Sequence, residues 1–109
     1  MRRNCNKLVR DRIPEIIQAS GQKCALEVMA EPEFQQALRN KLIEEAQEAA
    51  AAATPEALIQ ELADLYEVID ALMATQAIAR DAVLMEQQRR HAERGGFTQR
   101  LKLLWSGAN

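Results

Sequence analysis

Apolar positions recur at helical spacing along most of the chain, and proline, glycine and capping residues divide this pattern into segments. Pro14 begins a short helix, which Ser20 and Gly21 end. Pro32 begins a second helix over residues 32–52, a stretch rich in the strong helix formers Ala, Leu, Glu and Gln.

A capping signal then restarts the chain. Residues 54–56, Thr-Pro-Glu, supply a capping hydroxyl, a proline for the first helical position and an acid for the first turn. They predict a third helix that continues to about Ala77. A fourth helix is predicted with Asp81 as its N-cap and with its end at Gly95–Gly96.

Two short segments have strand character. Residues 23–29 mix apolar and β-branched side chains, and the tail at 97–104 is predicted to be extended and to pair with them. The predicted fold is therefore a single, mainly α domain over residues 1–109. It is an antiparallel helical bundle that carries one short two-stranded sheet.

The second helix has a carboxylate at the centre of its apolar face. On a wheel of about 100° per residue, Glu45 lies in the middle of the apolar stripe and Glu48 lies about 60° away, at its edge. The apolar neighbours within about 60° of Glu45 are Phe34, Leu38, Leu42, Ala49 and Ala52.

The third helix repeats this arrangement. Asp64 falls within about 40° of three apolar positions, and Glu61 lies about 60° from Asp64, between Val68 and Leu72. Because the two helices are predicted to be antiparallel neighbours, all four acids are expected at the surface between them.

Such a group of carboxylates needs positive charge nearby, because desolvation and mutual repulsion oppose its ionisation. Residues 44–70 contain eight acids and no Lys or Arg. A hard divalent cation that prefers oxygen ligands, Mg²⁺ or else Mn²⁺, would supply the charge. The alternative is a pair of ordinary solvated acidic faces.

Composition narrows the class of protein. The chain has 109 residues, a formal net charge of −2, 4% aromatic residues and two cysteines. These values argue against a nucleic-acid binder and a disulfide framework, and no apolar run is long enough for a membrane span or a secretory signal. A cytoplasmic protein is expected.

The small net charge conceals a separation of charge. Residues 1–12 and 89–102 each carry five bases and one acid, on either side of the acidic stretch. Lys7, Arg10, Arg12 and Arg94 are the candidate phosphate ligands, and a Gly-Gly turn next to Arg94 can present backbone N–H groups to an anion. The alternative for the first three is an ordinary solvated start to a helix.

The sequence also resembles a known superfamily. Glu44-Glu45-Ala46-Gln47-Glu48, followed by Glu61-Leu62-Ala63-Asp64, is similar to the acidic signature of the all-α nucleoside triphosphate pyrophosphohydrolases, which include MazG. The opening stretch 6–14, Asn-Lys-Leu-Val-Arg-Asp-Arg-Ile-Pro, and Arg94-Gly95-Gly96-Phe97 resemble the phosphoribosyl-ATP pyrophosphohydrolase-like house-cleaning branch.

The resemblance implies Mg²⁺-dependent cleavage of a nucleoside triphosphate to the monophosphate and pyrophosphate, with water as the nucleophile. It implies Glu45, Glu48, Glu61 and Asp64 as metal ligands. Glu48 is the first candidate for the base that accepts the water proton, and Glu45 is the second. Glu44 is expected to orient water or to face solvent.

A homodimer or tetramer is expected, because the monomer has a limited core and small residues on the second helix permit close approach of a second copy. Two alternative functions stay open at this stage. One is the phosphoribosyl-ATP pyrophosphohydrolase of histidine biosynthesis, and the other is a non-catalytic, nucleotide-binding helical oligomer.

Overall fold

A computed structural model describes residues 2–108, and all regular secondary structure in this range is helical. The four helices are α1 (Ile13–Ala19), α2 (Glu31–Ala51), α3 (Pro55–Thr75) and α4 (Arg80–Arg94). The predicted mainly α class and the approximate bounds of all four helices are confirmed.

The α2 and α3 helices form an antiparallel hairpin. The side chain of Gln76, at the end of α3, donates a hydrogen bond to that of Gln35, near the start of α2. The connection is only three residues long and ends at Thr54, whose hydroxyl accepts the Ala57 N–H at 3.1 Å as predicted for an N-cap.

Few side chains of the described chain are fully buried. Leu38 of α2 and Val68 of α3 are the buried apolar residues in the range 2–108, and Glu45 is the buried charged residue. Charged side chains are rarely buried to this extent unless they are paired, so Glu45 marks the interior of the hairpin as a candidate site.

The chain divides into two compact units at Ala77–Ile78. The first unit holds α1, α2 and α3. The second holds α4 and the irregular tail, and the predicted single domain stays a prediction. In the second unit, α4 ends as predicted at Gly95, which has a φ of 80° that favours glycine.

The predicted two-stranded sheet is wrong. Neither 23–29 nor 97–104 forms a strand within the described range 2–108. Each segment has a single β-branched residue, so its preference for a strand is weak. Val28 is 96% exposed, so burial of this side chain does not stabilise a strand.

The predicted N-cap of α4 is also wrong. The helix begins at Arg80, the cap position is Ala79, and Asp81 lies in the first turn. The Ala82 N–H already donates to the Ala79 carbonyl, so the first turn closes two residues earlier than predicted. Asp81 still complements the positive end of the helix dipole.

No helix within residues 2–108 combines the length and the apolar character that crossing a membrane requires.

Candidate metal centre

The position of the turn brings acids of α2 and α3 to the same level of the hairpin. Glu45 lies six residues before the last residue of α2, Ala51, and Glu61 lies six residues after the first residue of α3, Pro55. At a rise of 1.5 Å per residue, each acid is about 9 Å from its end of the connection. The two side chains therefore meet across the helix interface.

Three carboxylates form what we call the acidic cluster: Glu45, Glu61 and Asp64. One oxygen of each lies within 4.8 Å of the corresponding oxygens of the other two. This confirms the inference, made from the helical wheels, that these acids face the same interhelical surface. Glu61 and Asp64 share a face of α3 because they are three residues apart.

The cluster contains two oxygens that are buried and unsatisfied. Glu45 is only 7% exposed, and its Oε2 atom has no hydrogen-bond partner. The Oε2 atom of Glu61 is likewise buried without a partner. Leaving such atoms unpaired costs free energy, so each would gain from a hydrogen-bond donor or a cation.

The environment of Glu45 disfavours its ionised form. Burial raises the pKa of Glu45 above its ordinary value, and the negative charge of Glu48 raises it further. Asp64 acts in the same direction, whereas Lys41 lowers the pKa. Binding of a divalent cation would oppose all of the upward contributions.

Two basic residues outside the acidic stretch partly neutralise the acids. The Lys41 Nζ atom lies 3.6 Å from Oε1 of Glu45 and 3.5 Å from Oε1 of Glu44. The Arg10 Nη2 atom donates to Oδ1 of Asp64 at 3.0 Å. Neither cation lies within residues 44–70, the stretch for which a need for positive charge was predicted. The i, i+4 spacing of Lys41 and Glu45 is nevertheless a local signal in the sequence.

Glu48, the fourth predicted ligand, borders the acidic cluster without belonging to the group of three. It is exposed, one turn beyond Glu45 on α2. Its negative charge still acts on Glu45. Its predicted roles as a ligand and as a base stay predictions, as does the solvent-facing role of Glu44, which is exposed and pairs with Lys41.

The candidate phosphate ligands of the first unit have different neighbours, and Arg94 belongs to the second unit. Arg10 reaches the acidic cluster, whereas Arg12 pairs with Glu15 of α1 at 2.6 Å. Lys7 lines a groove along α2 that also includes Lys41. Arg94 is the last residue of α4 in the second unit, beside the Gly95–Gly96 turn.

The residues of the acidic cluster fit a hard divalent cation. All three offer carboxylate oxygen, the ligand type that Mg²⁺ and Mn²⁺ prefer. One oxygen from each residue lies within 4.8 Å of the other two, so the three are near enough to converge on one ion. The two unpartnered buried oxygens are the specific features that such an ion would satisfy.

Comparison with known proteins gives one partial similarity. No protein-family profile matches the chain, and no solved structure matches it. The chain is 44% identical over 54 residues to an uncharacterized protein of Mycolicibacterium smegmatis, a match that covers 50% of this chain and 55% of the relative. The chain thus spans about half the length of that curated relative, which carries no stated activity.

Proposed function

We propose that the protein is a Mg²⁺-dependent nucleoside triphosphate pyrophosphohydrolase, which cleaves between the α- and β-phosphates. The observation that supports this most strongly is the buried, unpartnered carboxylate oxygen of Glu45 within the acidic cluster. The acidic signature on α2 and α3 and its resemblance to the all-α pyrophosphohydrolases supply the reaction class.

In this proposal, Glu45, Glu61 and Asp64 hold the metal, and Glu48 completes the site from its edge. Bound Mg²⁺ supplies charge neutralisation at the phosphoryl oxygens and makes a nearby water more acidic. The protein's own contribution is to keep the carboxylates together between two packed helices, so that little rearrangement is needed on binding.

Glu48 is the residue proposed to accept the proton of the attacking water. Its carboxylate is exposed and borders the acidic cluster, so water can reach it. Glu45 is the second candidate, but it is already committed to the metal in this scheme. A positioned general base typically contributes a factor of about 10² to 10⁴ in rate.

The basic residues of the N-terminal segment are proposed to bind the polyphosphate. Lys7 lies in the groove along α2 whose lining continues to Lys41 and Glu44. Glu44 and Lys41 contact each other, and Lys41 contacts Glu45, so the groove leads to the acidic cluster. Arg12 and Arg94 are proposed to contact phosphate on the basis of their sequence motifs.

Exposed apolar side chains support the proposed assembly as a homodimer or tetramer. Several large apolar residues of α2 and α3 remain exposed in the single chain, a pattern that marks interaction surfaces. They are Ile43, Leu58, Ile59, Leu62 and Tyr66.

The test is pyrophosphate release from a panel of nucleoside and deoxynucleoside triphosphates, with phosphoribosyl-ATP as a further member, in Mg²⁺ and in EDTA. We expect Mg²⁺-dependent turnover that Asp64→Asn abolishes and that Glu67→Gln, an exposed acid of α3, leaves intact. Cleavage of phosphoribosyl-ATP alone would favour the biosynthetic enzyme. Absence of turnover on every member would overturn the proposal.

A further inference from the structure

Arg10 connects the N-terminal segment to the acidic cluster over a long distance in sequence. Its guanidinium contacts Asp64, 54 residues further along the chain, at 3.0 Å. Its backbone carbonyl accepts the Ile13 N–H at the start of α1, so the residue is fixed at a helix boundary while its side chain extends to α3.

The contact is accessible from solvent. The Arg10 and Asp64 side chains are 57% and 47% exposed. An ion pair with this exposure is weak and is screened by salt, so another cation can compete for the carboxylate. Asp64 is also one of the three acids whose oxygens lie within 4.8 Å of one another. The same carboxylate therefore serves the arginine and the candidate metal centre.

From this geometry we infer that Arg10 is an exchangeable counter-ion, which holds Asp64 when the metal centre is empty and moves to the substrate polyphosphate when a divalent cation takes Asp64. The inference rests on the proposed function and assigns to Arg10 a substrate-binding role within it. A guanidinium suits both partners, since its planar fork pairs with carboxylate and with phosphate oxygens.

Replacing Arg10 with a neutral residue should therefore change the affinities for Mg²⁺ and for the triphosphate in opposite directions. Without nucleotide, Arg10 competes with Mg²⁺ for Asp64, so removing its charge strengthens Mg²⁺ binding. With Mg²⁺ present, Arg10 is free to contact phosphate, so removing its charge weakens triphosphate binding. An arginine that merely supports the fold would weaken both or change neither.

Arg12 provides a matched control for the metal measurement. It is in the same segment, carries the same charge and pairs with Glu15 of α1 instead of with the acidic cluster. Arg12→Gln therefore reproduces the change in net charge without freeing Asp64. Arg39→Gln, an exposed position on α2, serves as the control for the triphosphate measurement.

The experiment is calorimetric titration of the full chain with MgCl₂ alone, and then with an α,β-methylene triphosphate at saturating Mg²⁺. We expect Arg10→Gln to tighten Mg²⁺ binding about three- to tenfold and to weaken the triphosphate by a similar factor. Arg10→Lys, which keeps the charge, is expected to return Mg²⁺ affinity to near the wild-type value. Melting in EDTA verifies that each variant is folded.

The outcomes separate this inference from the function on which it rests. Wild-type protein that binds no Mg²⁺ would overturn both. Mg²⁺ binding that Arg10→Gln leaves unchanged or weakens would overturn the exchange alone, as would an equal gain in Arg12→Gln, which would indicate a general effect of charge.

Discussion

The Nζ atom of Lys41 lies 3.6 Å from Oε1 of Glu45, one turn along α2, while Oε2 of the same carboxylate has no partner. The charge on one oxygen of Glu45 is therefore partly neutralised by Lys41, whereas the other oxygen has no hydrogen-bond partner. This asymmetry means that the metal-free hairpin carries an electrostatic cost at its centre.

Replacing Glu45 with Gln should remove the buried charge. We expect the variant to be more stable than the wild type in EDTA, by about 1 kcal/mol, because a neutral amide loses less on desolvation than a carboxylate. The stabilisation of the wild type by Mg²⁺, about 2.7 kcal/mol at a concentration of 100 Kd, should disappear. Thermal melts with and without Mg²⁺ make the comparison.

The matched control is Glu67→Gln, at an exposed position of α3. It should melt like the wild type in EDTA and should retain the Mg²⁺ shift. Equal Mg²⁺ shifts in the wild type and in Glu45→Gln would mean that Glu45 is not a metal ligand.

Replacing Lys41 with Met should have the opposite effect on the metal-free protein. The change leaves Glu45 buried with no nearby cation on α2, so we expect a loss of about 1–2 kcal/mol of unfolding free energy in EDTA. Mg²⁺ should recover much of this loss, because the metal replaces the missing charge.

Urea denaturation with and without Mg²⁺ is the measurement, with Arg39→Met as the control at an exposed position on the same helix. A loss that Mg²⁺ does not reduce would argue for a packing role of the Lys41 stem instead.

Replacing Glu48 with Gln should separate metal binding from turnover. Because Glu48 lies outside the group of three close carboxylates, the variant should keep most of the Mg²⁺-induced rise in melting temperature. If Glu48 accepts the water proton, kcat should fall by about 10² to 10⁴. Glu67→Gln, at an exposed position of α3, should retain both properties. Loss of the Mg²⁺ shift in Glu48→Gln would make Glu48 a metal ligand first.

The pH dependence of α4 follows from a charged pair on its surface. A hydrogen bond from Arg89, supported by Arg90, lowers the pKa of the Glu86 carboxyl below its ordinary value of 4.5. Since the pKa is lower in the folded chain, this carboxylate stabilises the folded state above about pH 4.5, and the contribution is lost as the pH falls through the lowered pKa.

An NMR titration of the Glu86 side-chain carboxyl tests this directly. In Arg89→Gln the pKa of Glu86 should move up towards its ordinary value, whereas Arg100→Gln, in the tail, should leave it in place. High salt should reduce the difference, because the pair is on the surface. A pKa of Glu86 that is the same in the wild type and in Arg89→Gln would show that the pair does not form in solution.

The sequence was sufficient for features that depend on local signals. Pro32 and the Thr54–Glu56 cap predicted the bounds of α2 and α3 to within about two residues. The helical wheels correctly predicted that Glu45, Glu61 and Asp64 lie close together. These predictions succeeded because helical periodicity and end signals depend on near neighbours in the chain.

Features that depend on distant contacts were missed or mistaken. The Arg10–Asp64 pair joins residues 54 positions apart, and no local sequence pattern predicts it. The expected sheet required residues 23–29 to pair with another segment, and a strand has no independent stability that would force the pairing. Lys41 is different, because it lies three residues before the 44–70 stretch and its i, i+4 spacing from Glu45 is a local pattern.

The equal distance of Glu45 and Glu61 from the turn restricts how this chain can change in length. Residues added to the connection at 52–54 leave both arms of the hairpin intact. A single residue inserted between Glu45 and Ala51 would displace Glu45 by about 1.5 Å and rotate it by about 100° away from α3. Sequences that keep the three carboxylates together should therefore vary in length at the tip of the hairpin and keep a constant count of residues along each arm.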